Sequence, residues 1–349
     1  MRVLFDTYWW GTGPVSGQVV VRELLAAWIR EFPGDDLVLA TRPEARGEVS
    51  RAFGGLPTVP VRGRPHGVAT LLQYGWWARR TKADVAFTQN FAPPGIRCAT
   101  FIHDVMYQTN PEWFTRSERA YFWLIPRFAR TADLVVTSSQ HEVDRIRACN
   151  PSLRNVQGIG LSVATALTGA TPTRPDVVPD GLPFLLTVGR LNIRKNLALT
   201  LEATLASGRI SPELPLVVVA SRDGKDVPLP ASVERAAREG SIRFVPRVTD
   251  AELAWLYRHA ELFLYLSLDE GFGLPPLEAL SFGCPVLVSD IDVFRELLGD
   301  HATYCDPRDI DDATSAILAA DSRRLDPAPG FAGWDDCVRR LRASIAQTL

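Results

Sequence analysis

The sequence predicts an α/β protein built of two doubly wound domains facing each other across a cleft. Three observations carry that prediction. Short apolar runs alternate with segments of helical period, strand then helix, in both halves of the chain. A stretch rich in proline, threonine and glycine, 166–182, separates the halves and has the composition of a linker. The 349 residues, 46% of them hydrophobic, are enough for two ordinary cores. The domains are therefore expected at 1–165 and 183–333.

Bulk properties exclude several classes. Thirty-eight Lys and Arg against 40 Asp and Glu leave a net charge of −2, so no overall positive field points to a nucleic-acid partner. Cys98, Cys149, Cys284, Cys305 and Cys337 are scattered without C-x-x-C spacing, which fits reduced thiols better than a disulfide framework or a zinc site. No apolar segment approaches the roughly 20 residues that span a bilayer, and the N-terminus enters a strand without a signal-peptide pattern. A cytoplasmic protein is expected.

In the first half, strand Val3–Phe5 leads through the loop 6–17 to a helix over about 18–30, with Val20, Leu24, Leu25 and Trp28 on one face. The loop carries Gly11, Gly13 and Gly17. It comes near G-x-G-x-x-G, but Ser16 stands where the third glycine belongs, so it is a poor nicotinamide fingerprint; a tight strand-to-helix turn and a ligand-facing loop both remain open. From 61 to 82, Arg62, Arg64, Arg79, Arg80 and Lys82 surround Leu71, Leu72, Tyr74, Trp76 and Trp77. This is read as a surface helix packed by its aromatic side; the alternative is a peripheral seat on the inner face of an anionic membrane. Strand 85–88 and a proline turn follow, and strand Cys98–Ile102 then delivers His103 and Asp104 to a strand end. A helix over about 115–130 leads to a strand ending at Ser138, and Ser139 caps the helix through Val143 and Ile146.

The second half opens with strand 184–188 and the turn Gly189-Arg190-Leu191-Asn192-Ile193-Arg194-Lys195-Asn196, then a helix through Leu199 and Ala203. Cations at a strand-to-helix turn suit a diphosphate. Arg194 is read as a solvated surface charge. Strands 216–220 and 242–245 follow, and Thr249 with Glu252 forms a capping box. The apolar run 262–266 ends in the turn 267–273, and a helical segment with Leu274, Leu277, Ala279 and Leu280 is stopped by Gly283. Gly271 and Gly273 allow close approach of their amides, and Pro275 and Pro276 suit a helix start, where backbone donors are unpaired. That is an anion site, framed by Glu270 and Glu278. A sugar nucleotide offers both kinds of partner, phosphates for the amides and hydroxyls for the carboxylates. Asp290-Ile291-Asp292 and Asp309-Ile310-Asp311 are read as turn and cap chemistry rather than metal ligands.

E-G-F-G-L-P-P-L-E at 270–278, followed by A-L-S-F-G-C-P-V, resembles the E-x7-E signature of retaining glycosyltransferases of family 4. The segments around T-F-I-H-D-V, T-A-D-L-V-V-T-S-S and G-R-L-N-I-R-K-N are similar to that family as well. The resemblance implies the GT-B fold of two Rossmann-like domains, with a C-terminal helix, 334–349, crossing back to the first. It implies that Arg190 and Lys195 hold the donor diphosphate, that His103 contacts the donor sugar, and that the loop with Gly13 and Gly17 lies near the acceptor and the donor phosphates. Glu278 would take the ribose hydroxyls, Glu270 those of the donor sugar, and Gly271, Phe272, Gly273 and Leu274 the phosphates. Arg247 and Val248 would lie against the base. Two departures stand out: Pro246 replaces a common glycine, and Gly158-Ile159-Gly160 replaces a common P-N-G.

What the resemblance implies is transfer, with retention, of a hexose or deoxyhexose from a nucleotide diphosphate sugar to a hydroxyl of a glycan or lipid-linked acceptor. Mannose or rhamnose is favoured. No cofactor and no metal are expected. A sugar-nucleotide epimerase of the same fold, or a non-catalytic nucleotide-sugar-binding protein, would carry similar sites.

Overall fold

The computed structural model describes residues 1–190, 192–221, 229–324 and 332–348. The chain forms two compact units, 1–162 with 332–349, and 163–331. The expected linker 166–182 packs within the second unit. Residues Thr165–Thr168 form a short helix against the helix Asp250–His259, and Leu167 and Val178 are buried.

The first unit holds the strands β1 (Arg2–Asp6), β2 (Asp36–Thr41), β3 (Thr58–Pro60), β4 (Val85–Gln89), β5 (Cys98–Phe101), β6 (Leu134–Thr137) and β7 (Val156–Gly158). They pair in parallel in the order β3-β2-β1-β4-β5-β6-β7. The second holds β8 (Leu185–Arg190), β9 (Leu216–Ser221), β10 (Ile242–Val245), β11 (Leu262–Tyr265), β12 (Val286–Ser289) and β13 (Thr303–Cys305), parallel in the order β10-β9-β8-β11-β12-β13. The central strands are largely apolar and almost wholly buried, as expected where helices cover both faces of such a sheet. In each sheet the order reverses once, between β1 and β4 and between β8 and β11. Loops leaving the carboxyl ends of those two strands diverge and open a crevice where ligands bind in folds of this kind.

Local physics sets most boundaries. Ser139 caps the helix Gln140–Cys149 by accepting from the Glu142 N–H, and Thr249 and Glu252 form the full reciprocal capping box. Asp309 accepts from the N–H groups of Asp311 and Asp312, and Asp290 is held bidentately by Arg295, the turn and cap contacts expected of these two segments. Two expectations are corrected. The first helix is longer, Val15–Glu31, so Gly17 lies inside it and not in the loop. The helix expected over 115–130 is two, Arg116–Phe122 and Leu124–Ala129, because Pro126 cannot donate to the carbonyl four residues back. The 61–82 segment is helical over His66–Thr81; Tyr74 is fully buried, while Val68, Leu72 and Trp76 form an exposed row.

The C-terminal helix Trp334–Thr348 belongs to the first unit and packs on Val15–Glu31. Arg342 makes two bonds to the buried Asp35, at 2.8 and 3.0 Å, and Arg339 pairs with Glu31 at 2.9 Å. No described helix is long and apolar enough to cross a membrane.

Candidate functional site

In the second unit the site is built where β8 and β11 end. After β8 the chain makes a single 3-10 turn, Ile193–Lys195, in which the Asn192 side chain accepts from the Lys195 N–H. Asn196 then adopts a left-handed conformation, φ 50°, and its amide donates to the Pro307 carbonyl. The Leu268 N–H donates to the Arg194 carbonyl, at 2.8 Å, tying this turn to the loop after β11.

Glu270 is the centre of the cluster. Its Oε1 lies 2.6 Å from Nζ of Lys195 and 3.0 Å from the Tyr265 hydroxyl, and its Oε2 lies 2.6 Å from Nη1 of Arg194. Lys195 also contacts the Tyr265 hydroxyl. Burial alone would push the Glu270 carboxyl up, but Arg194 and Lys195 outweigh it and hold the group at about 2. Arg194 is therefore an ion-pair member, not the solvated surface charge the sequence suggested. Two cations against one carboxylate leave a positive charge at the turn. Arg190 closes β8, and its side chain lies outside the described atoms.

The loop then enters the helix Leu274–Ser281 through Gly273, whose φ is +95°. A Cβ on Gly273 would collide with the Phe294 ring, so only glycine fits. Glu278, one turn in, accepts from the Tyr257 hydroxyl at 2.9 Å. Burial pushes its carboxyl up to about 7, against the pull of Tyr257 and, more weakly, of Lys195. Gly271 and Phe272 are buried in the same loop, and Leu274 is half-buried. Arg247, exposed, and Val248, half-buried, follow edge strand β10 at the same carboxyl edge of the parallel sheet.

The first unit has its own hollow, a cavity of about 720 Å³ beside the ends of β1 and β4. Gly13, Gly17 and His103 line it together with Trp9, His66 and an aromatic wall that includes Tyr121 and Phe122. Gly13 has φ +92° and, like Gly17, makes room for the Trp9 indole, against which a Cβ on Gly17 would collide. The His103 ring lies 5.6 Å from that indole, and its Nε2 is 2.7 Å from Oε1 of Gln89. Burial, helped by His66, lowers the His103 pKa to about 4, so the ring is neutral at pH 7.

Sequence reasoning missed Arg194, Tyr265, Tyr257, Trp9 and His66. For Trp9 a signal exists in the chain: glycines stand four and eight positions after it, and both leave room for its indole.

A family profile described as Glycosyl transferases group 1 matches residues 173–323. The O-antigen chain mannosyltransferase B of Escherichia coli is 31% identical over 288 residues, 75% of this chain and 74% of that one. Among solved structures, sucrose-phosphate synthase from Thermosynechococcus elongatus superposes with a TM-score of 0.67 at 18% identity, covering 99% of this chain and 97% of the other. The Anabaena protein HepE, solved with UDP and glucose, gives 0.63 at 15% identity over 100% and 97%.

Proposed function

The chain belongs to the group 1 glycosyl transferases, with the GT-B fold, and from that membership we propose that it transfers a mannosyl group from a nucleoside diphosphate sugar to a hydroxyl of a glycan or lipid-linked acceptor, with retention and without a metal ion. The observation that carries the reading is the cluster at the β8–β11 crevice, where Lys195, Arg194 and Tyr265 converge on Glu270 and Glu278 stands one helical turn away. The mannosyltransferase relative supports the choice of sugar.

In this mechanism the bond from the anomeric carbon to the diphosphate oxygen breaks and a bond from that carbon to the acceptor oxygen forms on the same face. The acceptor's proton passes to the departing phosphate oxygen. The leaving group gains negative charge as the sugar becomes cationic, so the charges that matter are those aimed at the phosphates. Lys195, Arg190 and the amides around Gly273 and Leu274 take that role. A charge-assisted hydrogen bond is worth about 1.5–3 kcal/mol, so two of them supply about 10² to 10⁴ in rate. Glu270, with both oxygens engaged by cations and Tyr265, holds Lys195 and Arg194 in place and meets the donor sugar at its edge. Glu278 receives the ribose hydroxyls, Arg247 and Val248 flank the base, and His103 acts on the sugar as a neutral partner.

The exposed row Val68, Leu72 and Trp76, with Arg80 stacked on Trp76 at 5.4 Å, supports a peripheral seat on an anionic cytoplasmic leaflet. Liposome co-sedimentation that ignores anionic lipid content refutes that seat.

The central test is nucleotide release from GDP-mannose, UDP-glucose and dTDP-rhamnose, with and without acceptor glycans, in EDTA. Release that requires an acceptor, yields an α-linked product from an α-linked donor and survives EDTA is expected. Donor epimerised without acceptor identifies an epimerase; donor binding without release under any acceptor identifies a non-catalytic protein. Activity lost in EDTA and restored by Mn²⁺ refutes metal independence.

A further inference from the structure

We propose that Gln89 is a positioning residue for His103: its side-chain carbonyl holds the ring as the Nε2–H tautomer, so that Nδ1 presents a lone pair to a hydroxyl of the transferred sugar. The sugar rests on the transferase reading above; the hold of Gln89 on the ring does not. Strand pairing brings the two residues together. Gln89 ends β4 opposite Phe101 of β5, and His103 stands two residues beyond Phe101. Side chains two apart along a strand share a face, and the His103 ring lies 4.8 Å from that of Phe101. Its Nε2 thereby comes to 2.7 Å from Oε1 of Gln89. The backbone behind the amide is pinned on both sides: the Gln89 N–H donates to the buried Asp6 carboxylate at 3.2 Å, and the Asn90 N–H to the Phe101 carbonyl at 2.8 Å.

The amide suits its place only if His103 needs it. Gln89 is 1% exposed, and its Nε2 has no hydrogen-bond partner among the described residues. A buried donor left unpaired is costly, and a methionine of similar length would leave none there. What methionine lacks is an oxygen for the ring N–H.

A glutamate would supply that oxygen too, and the neighbouring strand end shows the difference. Nε2 of His66 meets a carboxylate, Oδ2 of Asp6, at 2.8 Å, whereas His103 meets an uncharged amide. A carboxylate favours a second proton on an imidazole; an amide oxygen accepts one hydrogen and brings no charge. With Oε1 accepting from Nε2–H, the neutral ring keeps its lone pair on Nδ1.

The other groups facing His103 leave it neutral. Arg42 and Arg64 line the same cavity and oppose a positive ring, and burial keeps the Tyr8, Tyr107 and Tyr121 hydroxyls protonated. A protonated His66 also opposes that charge and a neutral one leaves it alone, so the outcome holds for either state. Asp6 lies behind Gln89 and already takes four donors, and Asp104 accepts from the Met106 N–H at 3.2 Å. As the anomeric carbon becomes cationic, a neutral ring does not oppose it, as an imidazolium would.

The test uses the full chain labelled with ¹⁵N-histidine, the His103 signal being assigned by its loss in His103→Ala. Wild type without ligand is expected to show a neutral Nε2–H ring between about pH 6 and pH 8. Gln89→Glu keeps the oxygen and adds charge, and is expected to hold His103 as an imidazolium near neutral pH. Its kcat should fall about tenfold near pH 6 and recover as pH rises through the new titration, a limb that wild type lacks. Gln89→Met removes the oxygen without adding charge. It should populate both tautomers and lower kcat about threefold to tenfold with little change in donor KM. In a His103→Ala background neither substitution should lower kcat further, because Gln89 acts through the ring. Where the added charge prevents folding, Gln89→Met alone decides.

A wild-type Nδ1–H tautomer, wild-type kcat and pH profile in the variants, or losses of the same size in the His103→Ala background would each overturn the assignment and leave the transferase reading standing. A chain that transfers from no nucleotide sugar, yet shows the Nε2–H ring and its conversion to imidazolium in Gln89→Glu, would uphold the hold of Gln89 on His103 and refute the transferase reading.

Discussion

Glu278→Gln should make the protein more stable and the enzyme worse, and the stability gain should depend on pH in a defined direction. Folding raises the Glu278 carboxyl from 4.5 to about 7, because burial opposes its charge more than Tyr257 and Lys195 favour it. A raised carboxyl favours folding most while it is protonated in both states, below 4.5, and that advantage is lost as pH rises through 7. At about 1.4 kcal/mol per pH unit, the ionised side chain costs about 3 kcal/mol near pH 8 and about 1 kcal/mol near pH 5. Glutamine carries no charge and still accepts from the Tyr257 hydroxyl, so it escapes that cost at little loss of contact. Urea unfolding of wild type and variant near pH 5 and pH 8, at a common m value, should give a gain larger by about 2 kcal/mol at the higher pH. Donor affinity should fall about tenfold near pH 8, because the strongest acceptor for the ribose hydroxyls is gone. No gain near pH 8, or the same gain at both values, would refute the reasoning.

Lys195→Met should lower kcat/KM for the donor about tenfold to a hundredfold, measured by nucleotide release, since one charge-assisted bond to the diphosphate is removed. Glu270→Gln should destabilise the chain by about 2–3 kcal/mol near pH 7. The Glu270 contribution comes from a lowered carboxyl, so it is present above 4.5 and lost as pH falls towards 2; urea curves near pH 3 should show a smaller difference than those near pH 7. Gly273→Ala should cost about 1–3 kcal/mol in the same assay and weaken donor binding, because its φ of +95° and the Phe294 ring leave no room for a Cβ. His103 is held at about 4, so its titration should put no limb in the rate profile between about pH 6 and pH 8.

Much of the second unit could be read from the chain because its signals are local. The Thr249–Glu252 box, the Ser139 cap, the prolines after Gly273 and the glycine at 283 act within a few residues, and each sits where the sequence puts it. Contacts across the sheet could not be read. Arg194 meets Glu270 across 76 positions and Asp6 meets His66 across 60, and nothing near either residue announces its partner. Two misplacements had local causes that were there to be weighed: Pro126 inside an apolar helical run, and a first helix that starts directly after Pro14.

Three carboxylates at the two crevices sort themselves by how many donors they already have. Asp6 takes four, and Glu270 takes Lys195, Arg194 and Tyr265; each is saturated, and a saturated buried carboxylate fixes its donors in space. Such a group arranges a site first and meets a ligand only at its edge. Glu278, half-buried, has one hydroxyl, from Tyr257, and is left near 7, which is the mark of a desolvated acid whose acceptor capacity is unspent. A ligand that brings two neighbouring hydroxyls, as a ribose does, would lower that carboxyl and recover the cost of its burial. Donor binding should therefore release protons near pH 7, a quantity that calorimetry in buffers of different ionisation enthalpy reads directly. Binding with no proton release in wild type, or the same release in Glu278→Gln, would place the ribose elsewhere.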